Sequence, residues 1–215
     1  MESTGWGKIV DELRLHAQEM HDARESGLAR CRKLIQTSSK CIRHVHRHQF
    51  EEAEALLREA KAIAESARES LRPHPGLYHA GYLPDAEKEM VEAAAVLAIV
   101  HGRPYPKPEE LGVTPMAYLN GMGEAASEVR RFALDEIRSS RHAEALRILV
   151  QMEAIYDELI TFDFPDSMTG GLRRTCDSLR AVIERTRSDL TATMSQQALV
   201  EELRMTRGAL GRTED

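Results

Sequence analysis

At 215 residues the chain is long enough to bury a real core as one large domain or two small ones. Aromatic residues are only 5% of it and Ala, Leu, Glu and Arg dominate, a composition that disfavours strands and points to an all-α protein. The net charge of −6 at pH 7 suits a soluble cytoplasmic protein and, averaged over the chain, does not suggest nucleic acid.

From about Trp6 to Arg47 there is no proline, and Trp6, Ile9, Val10, Leu13, Ala17 and Met20 recur at helical spacing. The rhythm resumes with Leu28, Cys31, Leu34, Ile35, Ile42 and Val45, which predicts one long helix with a possible interruption near Ser26–Gly27. A second helix is expected over about Glu51–Arg72, stopped by Pro73 and Pro75. After a loop, Pro84 opens a third helix that runs to Gly102. The proline-rich connector RPYPKPEELGVTP holds a turn of helix at Pro108–Leu111. A fourth helix over about Met116–Arg138 begins among glycines that permit close backbone approach, and a fifth spans about His142–Thr161. The last begins near Met168 and reaches about Arg207, leaving residues 208–215 as a frayed tail. The expected architecture is a single-domain bundle, residues 1–215, of six or seven helices. Several are longer than a compact domain needs, and their surplus apolar faces suggest subunit packing.

Cys31, Cys41 and Cys176 show no CxxC spacing and fall within apolar helical patterns, so they read as reduced core residues, not a disulfide framework, zinc site or nucleophile. The N-terminus lacks the basic start and apolar core of a secretory signal. The longest wholly apolar run, Ala93–Val100, is far too short to span a membrane.

From Met90 to Val100 the third helix is apolar all round except at Glu92, and an ionised carboxylate removed from water needs compensation. Glu89 stands one turn earlier on the same face, with Asp85 a further turn back. Acids held that close repel, and a divalent cation with oxygen ligands is one remedy; an ion pair between Glu92 and a buried Arg, with Glu89 solvated, is the other. Asp157 interrupts an apolar passage in the fifth helix, and Glu128 in the fourth stands beside Arg130 and Arg131, which offer it an ordinary ion pair. If these helices pack together, Glu89, Glu92, Glu128 and Asp157 converge on one site, whose all-carboxylate ligands would suit Mg²⁺ or Mn²⁺. A di-iron centre is disfavoured, since no His follows a Glu at the third position, and neither a P-loop nor a Gly-x-Ser-x-Gly elbow is present. Phosphodiester hydrolysis needs only the metal.

Between Ser26 and Phe50 there is no acid and there are six bases: Arg30, Arg32, Lys33, Lys40, Arg43 and Arg47. Lys40, Arg43 and Arg47 share one face, away from Ile35, Ile42 and Val45, with His44, His46 and His48 as further donors to phosphate. Such a stripe either binds a phosphate backbone independently of sequence or is a solvated helix face.

EMVEA at Glu89–Ala93, AYLNGMGEAASEVRR at Ala117–Arg131 and IYDELITF at Ile155–Phe162 resemble the translin superfamily, and SSKCIRHVHR at Ser38–Arg47 is similar to the basic early helix of its translin-associated factor X branch. Translin itself lacks the Glu-x-x-Glu pair that the factor X branch carries, so the chain resembles the catalytic branch or a single-gene prokaryotic-type relative. The connector between the third and fourth helices is shorter than in eukaryotic factor X. The resemblance implies an all-α fold of about seven helices, an octameric shell enclosing RNA, and a Mg²⁺-dependent endoribonuclease acting on single-stranded RNA or nicked duplexes, with single-stranded DNA as a further ligand. Glu89, Glu92 and Asp157 would then be catalytic and ligate the metal with Glu128, and Arg32, Lys33, Lys40, Arg43 and Arg47 would bind nucleic acid. In that family two different chains share the shell, so a chain acting as a homo-oligomer would have to supply both functions. A translin-like binding protein without activity and an all-α nucleotide pyrophosphohydrolase are the competing expectations.

Overall fold

The structure, a computed structural model, describes residues 5–210, with side chains as far as Arg207. Its helices are α1 (Gly5–His46), α2 (Phe50–Leu71), α3 (Pro75–Tyr78), α4 (Tyr82–His101), α5 (Pro108–Leu111), α6 (Pro115–Arg138), α7 (His142–Leu159), α8 (Asp166–Thr169) and α9 (Leu172–Leu210). No strand occurs among the described residues. The six long helices are those expected from the periodicity; α3, α5 and α8 are single turns within the connections. Proline punctuates them: Pro75 and Pro108 open α3 and α5, and Pro165 precedes α8. Gly112 and Gly170, left-handed at φ 65° and 61°, close α5 and α8. Helix α9 continues to Leu210, past the expected start of the tail at residue 208, and residues 211–215 lie outside the described residues.

Helix α4 is the buried centre. Thirteen of its residues are buried, and it packs against α1, α2 and α6. Helix α6 in turn packs against α7 and α9. One continuous apolar cluster joins all six long helices, and the three cysteines lie in it with their thiols pushed up by burial, Cys31 to about 11 and Cys41 to about 12. No helix among the described residues is long and apolar enough to cross a membrane.

The expected break in α1 does not occur. Gly27 continues the helix, and its small size has a packing cause: a Cβ there would stand 2.6 Å from Leu71 Cδ2 at the end of α2. The α4–α6 contact uses a glycine in the same way. A Cβ on Gly121 would meet Val91 Cβ at 2.6 Å and the Lys88 carbonyl oxygen at 2.7 Å. Since that oxygen belongs to the backbone, the clash cannot be relieved by turning a side chain. Gly121→Ala gains about 1 kcal/mol of helix propensity, but overpacking of this kind costs about 1–3 kcal/mol or more. A net loss is expected, read as a lower denaturant midpoint at unchanged slope.

The carboxylate that pairs with a buried Arg is Glu87, not Glu92. Only 2% of Glu87 is exposed, and Arg68 of α2 donates to it from Nη1 at 2.9 Å while its Nη2 donates to Glu65 at 2.8 Å. Burial still raises the Glu87 carboxyl above its ordinary range, with Arg68 opposing that rise.

Two long helices outrun the bundle. The first half of α1 exposes Trp6, Ile9, Leu13 and Leu15, and the second half of α9 exposes Met194, Leu199, Val200, Leu203 and Met205.

Candidate metal centre and nucleic-acid interface

The backbone approach at Gly121 sets the geometry of the acidic site. One turn and two turns further along α6, Glu124 and Glu128 stand on the face turned to α4, where Glu89 and Glu92 lie one turn apart. Glu89, Glu92 and Glu124 each offer a carboxylate oxygen within 4.8 Å of the others. Burial raises the Glu92 carboxyl to about 8, and the neighbouring Glu89, Glu124 and Glu128 charges add to the rise. Glu89 is raised for the same reasons, burial first and Glu124 second.

The site is partly neutralised by the chain itself. Lys88 Nζ lies 2.7 Å from Glu124 Oε1; burial is the largest influence and would lower the ammonium, but this bond together with the Glu124, Glu89 and Asp85 charges outweighs it. Glu128 does not pair with Arg130 or Arg131, as its sequence neighbours suggest; its Oε1 lies 2.6 Å from Nε2 of buried His46 at the end of α1. Arg130 instead donates to Thr186 and Asp189 of α9. Glu92 has no hydrogen-bond or ion-pair partner among the described residues. It faces an open cavity of about 420 Å³ together with Glu124 and Glu128, whose lining is completed by Ser127 and by Arg174, Thr175 and Ser178 of α9. An all-oxygen donor set whose charges repel and whose central acid is unpaired fits a hard divalent cation such as Mg²⁺ or Mn²⁺.

Asp157 does not join this group. It is exposed on α7 and lines a separate groove with Tyr105, Tyr118 and Met122, because Ile148, Met152, Ile155 and Leu159 form the buried stripe of α7 and Asp157 falls on the other side. The acid that stands with Glu89 and Glu92 is Glu124. Its sequence signal is the Glu124/Glu128 spacing of four, directly after the glycines that bring α6 against α4.

On α1 and in the turn just after it, Arg32, Lys40, Arg43 and Arg47 are exposed and make no ion pair among the described residues, and the three on the helix share the face opposite Leu34, Cys41 and Val45. Lys33 sits at the edge of this face and lies 3.2 Å from Glu59. The three histidines do not act together. His46 turns inward to Glu128, and His48, at φ 57°, packs its ring against Phe50 and Phe132. Arg32 to Arg47 covers about four turns, roughly 22 Å, and its C-terminal end lies within one turn of His46, which edges the acidic site.

A helical bundle with an acidic oxygen-ligand centre flanked by a cationic helix is the class that fold and site define. AfC3PO, solved alone and in complex with duplex RNA, matches at a TM-score of 0.82 and 36% identity, over 88% of this chain and 98% of that one. NeC3PO in its apo form shares the fold at a TM-score of 0.77 and 23% identity, over 86% of this chain and 96% of that one. An uncharacterized protein of Methanocaldococcus jannaschii is 27% identical over 184 residues, 84% of this chain and 81% of its own length. No family model matches. The chain belongs to the translin superfamily.

Proposed function

We propose that this protein is a metal-dependent endoribonuclease that binds single-stranded RNA, or the strands of interrupted duplexes, within a homo-oligomeric shell. The observation that carries the reading is the cluster of Glu89, Glu92 and Glu124 around an unpaired acid raised to about 8, open to a cavity beside a cationic helix. The solved complex of AfC3PO with duplex RNA supports RNA as the ligand class.

Glu89, Glu92 and Glu124 would hold Mg²⁺ or Mn²⁺. Such an ion activates a water and neutralises phosphoryl oxygens. Glu128, held at one oxygen by His46, keeps its second oxygen for a proton from the attacking water. Arg32, Lys40, Arg43 and Arg47 hold the RNA backbone irrespective of base, with Lys33 at the edge of the path. The exposed apolar halves of α1 and α9 supply subunit contacts, and an octamer is the assembly the superfamily resemblance implies.

Labelled single-stranded RNA incubated with Mg²⁺, Mn²⁺ or EDTA tests the reading. Internal cuts that require the cation support it, and Asp157→Asn is expected to retain cleavage within about twofold because Asp157 stands outside the cluster. RNA bound but intact at every cation level favours a binding protein, a reading to which the Lys88–Glu124 pair lends support. For the stripe, the triple change Lys40→Ala, Arg43→Ala, Arg47→Ala is expected to lower the slope of log affinity against log salt by about 2, at roughly 0.7 per lost phosphate contact on a single strand. A slope unchanged from wild type would make the stripe a solvated face.

A further inference from the structure

The wall of the cavity opposite the acids carries a cation that the proposed reaction has not yet used. Helix α9 begins with Arg173 and Arg174, and the two are employed differently. Arg173 pairs with Asp163 at 3.1 Å. Arg174 lines the cavity with Glu92, Glu124 and Glu128 and makes no ion pair or hydrogen bond among the described residues. Two of the three acids that line the cavity are committed elsewhere, Glu124 to Lys88 and Glu128 to His46.

The position of Arg174 is fixed by its neighbour. Thr175 Oγ1 donates to Asn120 Oδ1 at 3.0 Å, and Asn120 Nδ2 donates to the Thr169 carbonyl at 2.8 Å, which ties the α8–α9 corner to α6. A Cβ on Gly123 would lie 2.6 Å from Thr175 Cγ2, so α6 and α9 approach closely beside both Glu124 and Arg174. Arg174 is thus an exposed cation on a fixed base, lining the same solvent-open cavity as the carboxylates. A ligand that satisfies both walls must be anionic towards Arg174 and must tolerate, or share a cation with, the acids. A phosphodiester does both: the planar guanidinium can donate two parallel hydrogen bonds to its non-bridging oxygens.

We propose that Arg174 binds the non-bridging oxygens of the RNA phosphodiester placed at the acidic cluster, orienting that one linkage for attack, while the α1 stripe holds the rest of the strand. The inference rests on the ribonuclease reading, and its test separates the two. Arg174→Met and Arg174→Lys are compared with wild type in cleavage of labelled single-stranded RNA with Mn²⁺, in binding of a non-cleavable tetranucleotide whose bridging 3′ oxygens are replaced by methylene, and in the rise of melting temperature produced by Mn²⁺ alone.

For Arg174→Met, cleavage is expected to fall by about 10–100-fold, the worth of a charge-assisted hydrogen bond. Tetranucleotide binding should weaken by at least about tenfold, with the Mn²⁺-induced stabilisation unchanged. Arg174→Lys restores part of the loss, since it returns the charge without the fork. Cleavage and tetranucleotide binding both at wild-type levels in Arg174→Met would overturn the assignment and leave the ribonuclease reading standing. If wild type cleaves nothing, that reading fails, and the tetranucleotide alone decides: weaker binding in Arg174→Met supports phosphate contact, and equal binding overturns it. Loss of the Mn²⁺ response in Arg174→Met would also overturn it, since Arg174 would then be holding the acids in place.

Discussion

Glu92→Gln is expected to stabilise the metal-free protein at pH 8 and at the same time abolish its response to divalent cations. The sign follows from the direction of the shift. The Glu92 carboxyl lies near 8 in the folded chain, above its ordinary value of 4.5, so the folded state holds its proton more tightly than the unfolded one. Stability contributed by Glu92 is fully present below the unfolded value and is lost as pH rises to about 8. At roughly 1.4 kcal/mol per pH unit the loss is on the order of 3–5 kcal/mol, and the glutamine variant escapes it. In EDTA at pH 8 its melting temperature should therefore exceed that of wild type by roughly 10 °C.

Adding Mn²⁺ narrows the difference. Wild type gains about 2.7 kcal/mol when the ion is present at a hundred times its dissociation constant, and the variant gains little because a ligand is gone. Since a proton must leave Glu92 for the ion to enter, wild-type affinity should fall about tenfold for each pH unit below 8. RNA cleavage by Glu92→Gln is expected to drop by about 10³-fold or more. Equal Mn²⁺ responses in variant and wild type would show that the ion binds elsewhere.

Arg68→Met is expected to be the most destabilising single change away from the site. It strips the buried Glu87 carboxylate of its donor, and breaking one side of a buried pair costs about 3–5 kcal/mol. The Glu87 carboxyl, already raised by burial with Arg68 in place, then folds protonated, so the deficit should be smaller at pH 5 than at pH 8. Pairing the change with Glu87→Leu should recover most of the stability, because an apolar pair of similar volume no longer buries a charge. Chemical denaturation of the two single variants and the double variant measures the coupling. A double variant no more stable than Arg68→Met would locate the effect in lost packing of the Arg68 stem and not in the stranded acid.

The helices were legible because their signals are local. Pro73, Pro75, Gly102 and the apolar spacing of α2, α4, α6 and α7 state where segments start, stop and face. Gly27 misled because its cause lies at the far end of another helix: a glycine that breaks a helix and one that admits Leu71 look the same in one dimension. The acids divided in a similar way. Glu89 and Glu92 could be paired by spacing alone, but choosing Glu124 over Asp157 required knowing that α4 meets α6 at Gly121. The position of Asp157 outside the cluster could have been read from its own helix. It lies opposite the stripe of Ile148, Met152, Ile155 and Leu159, and the apolar residues flanking it in sequence concealed that. The inward turn of His46 and the choice of Glu87 over Glu92 by Arg68 are tertiary facts with no local trace.

The protruding first half of α1 gives the protein an optical reporter of its own. Trp6 is the single tryptophan in the sequence, and it is 70% exposed at the outer end of that helix. In a dilute, separate chain its indole emits from a watery environment. If a neighbouring subunit covers this stretch, emission moves to shorter wavelength and quenching by iodide weakens, while fluorescence anisotropy rises with the tumbling mass. A dilution series followed at this one residue therefore yields the dissociation constant of the assembly without a label, and the same trace, recorded in time after rapid dilution, gives the rate at which subunits part.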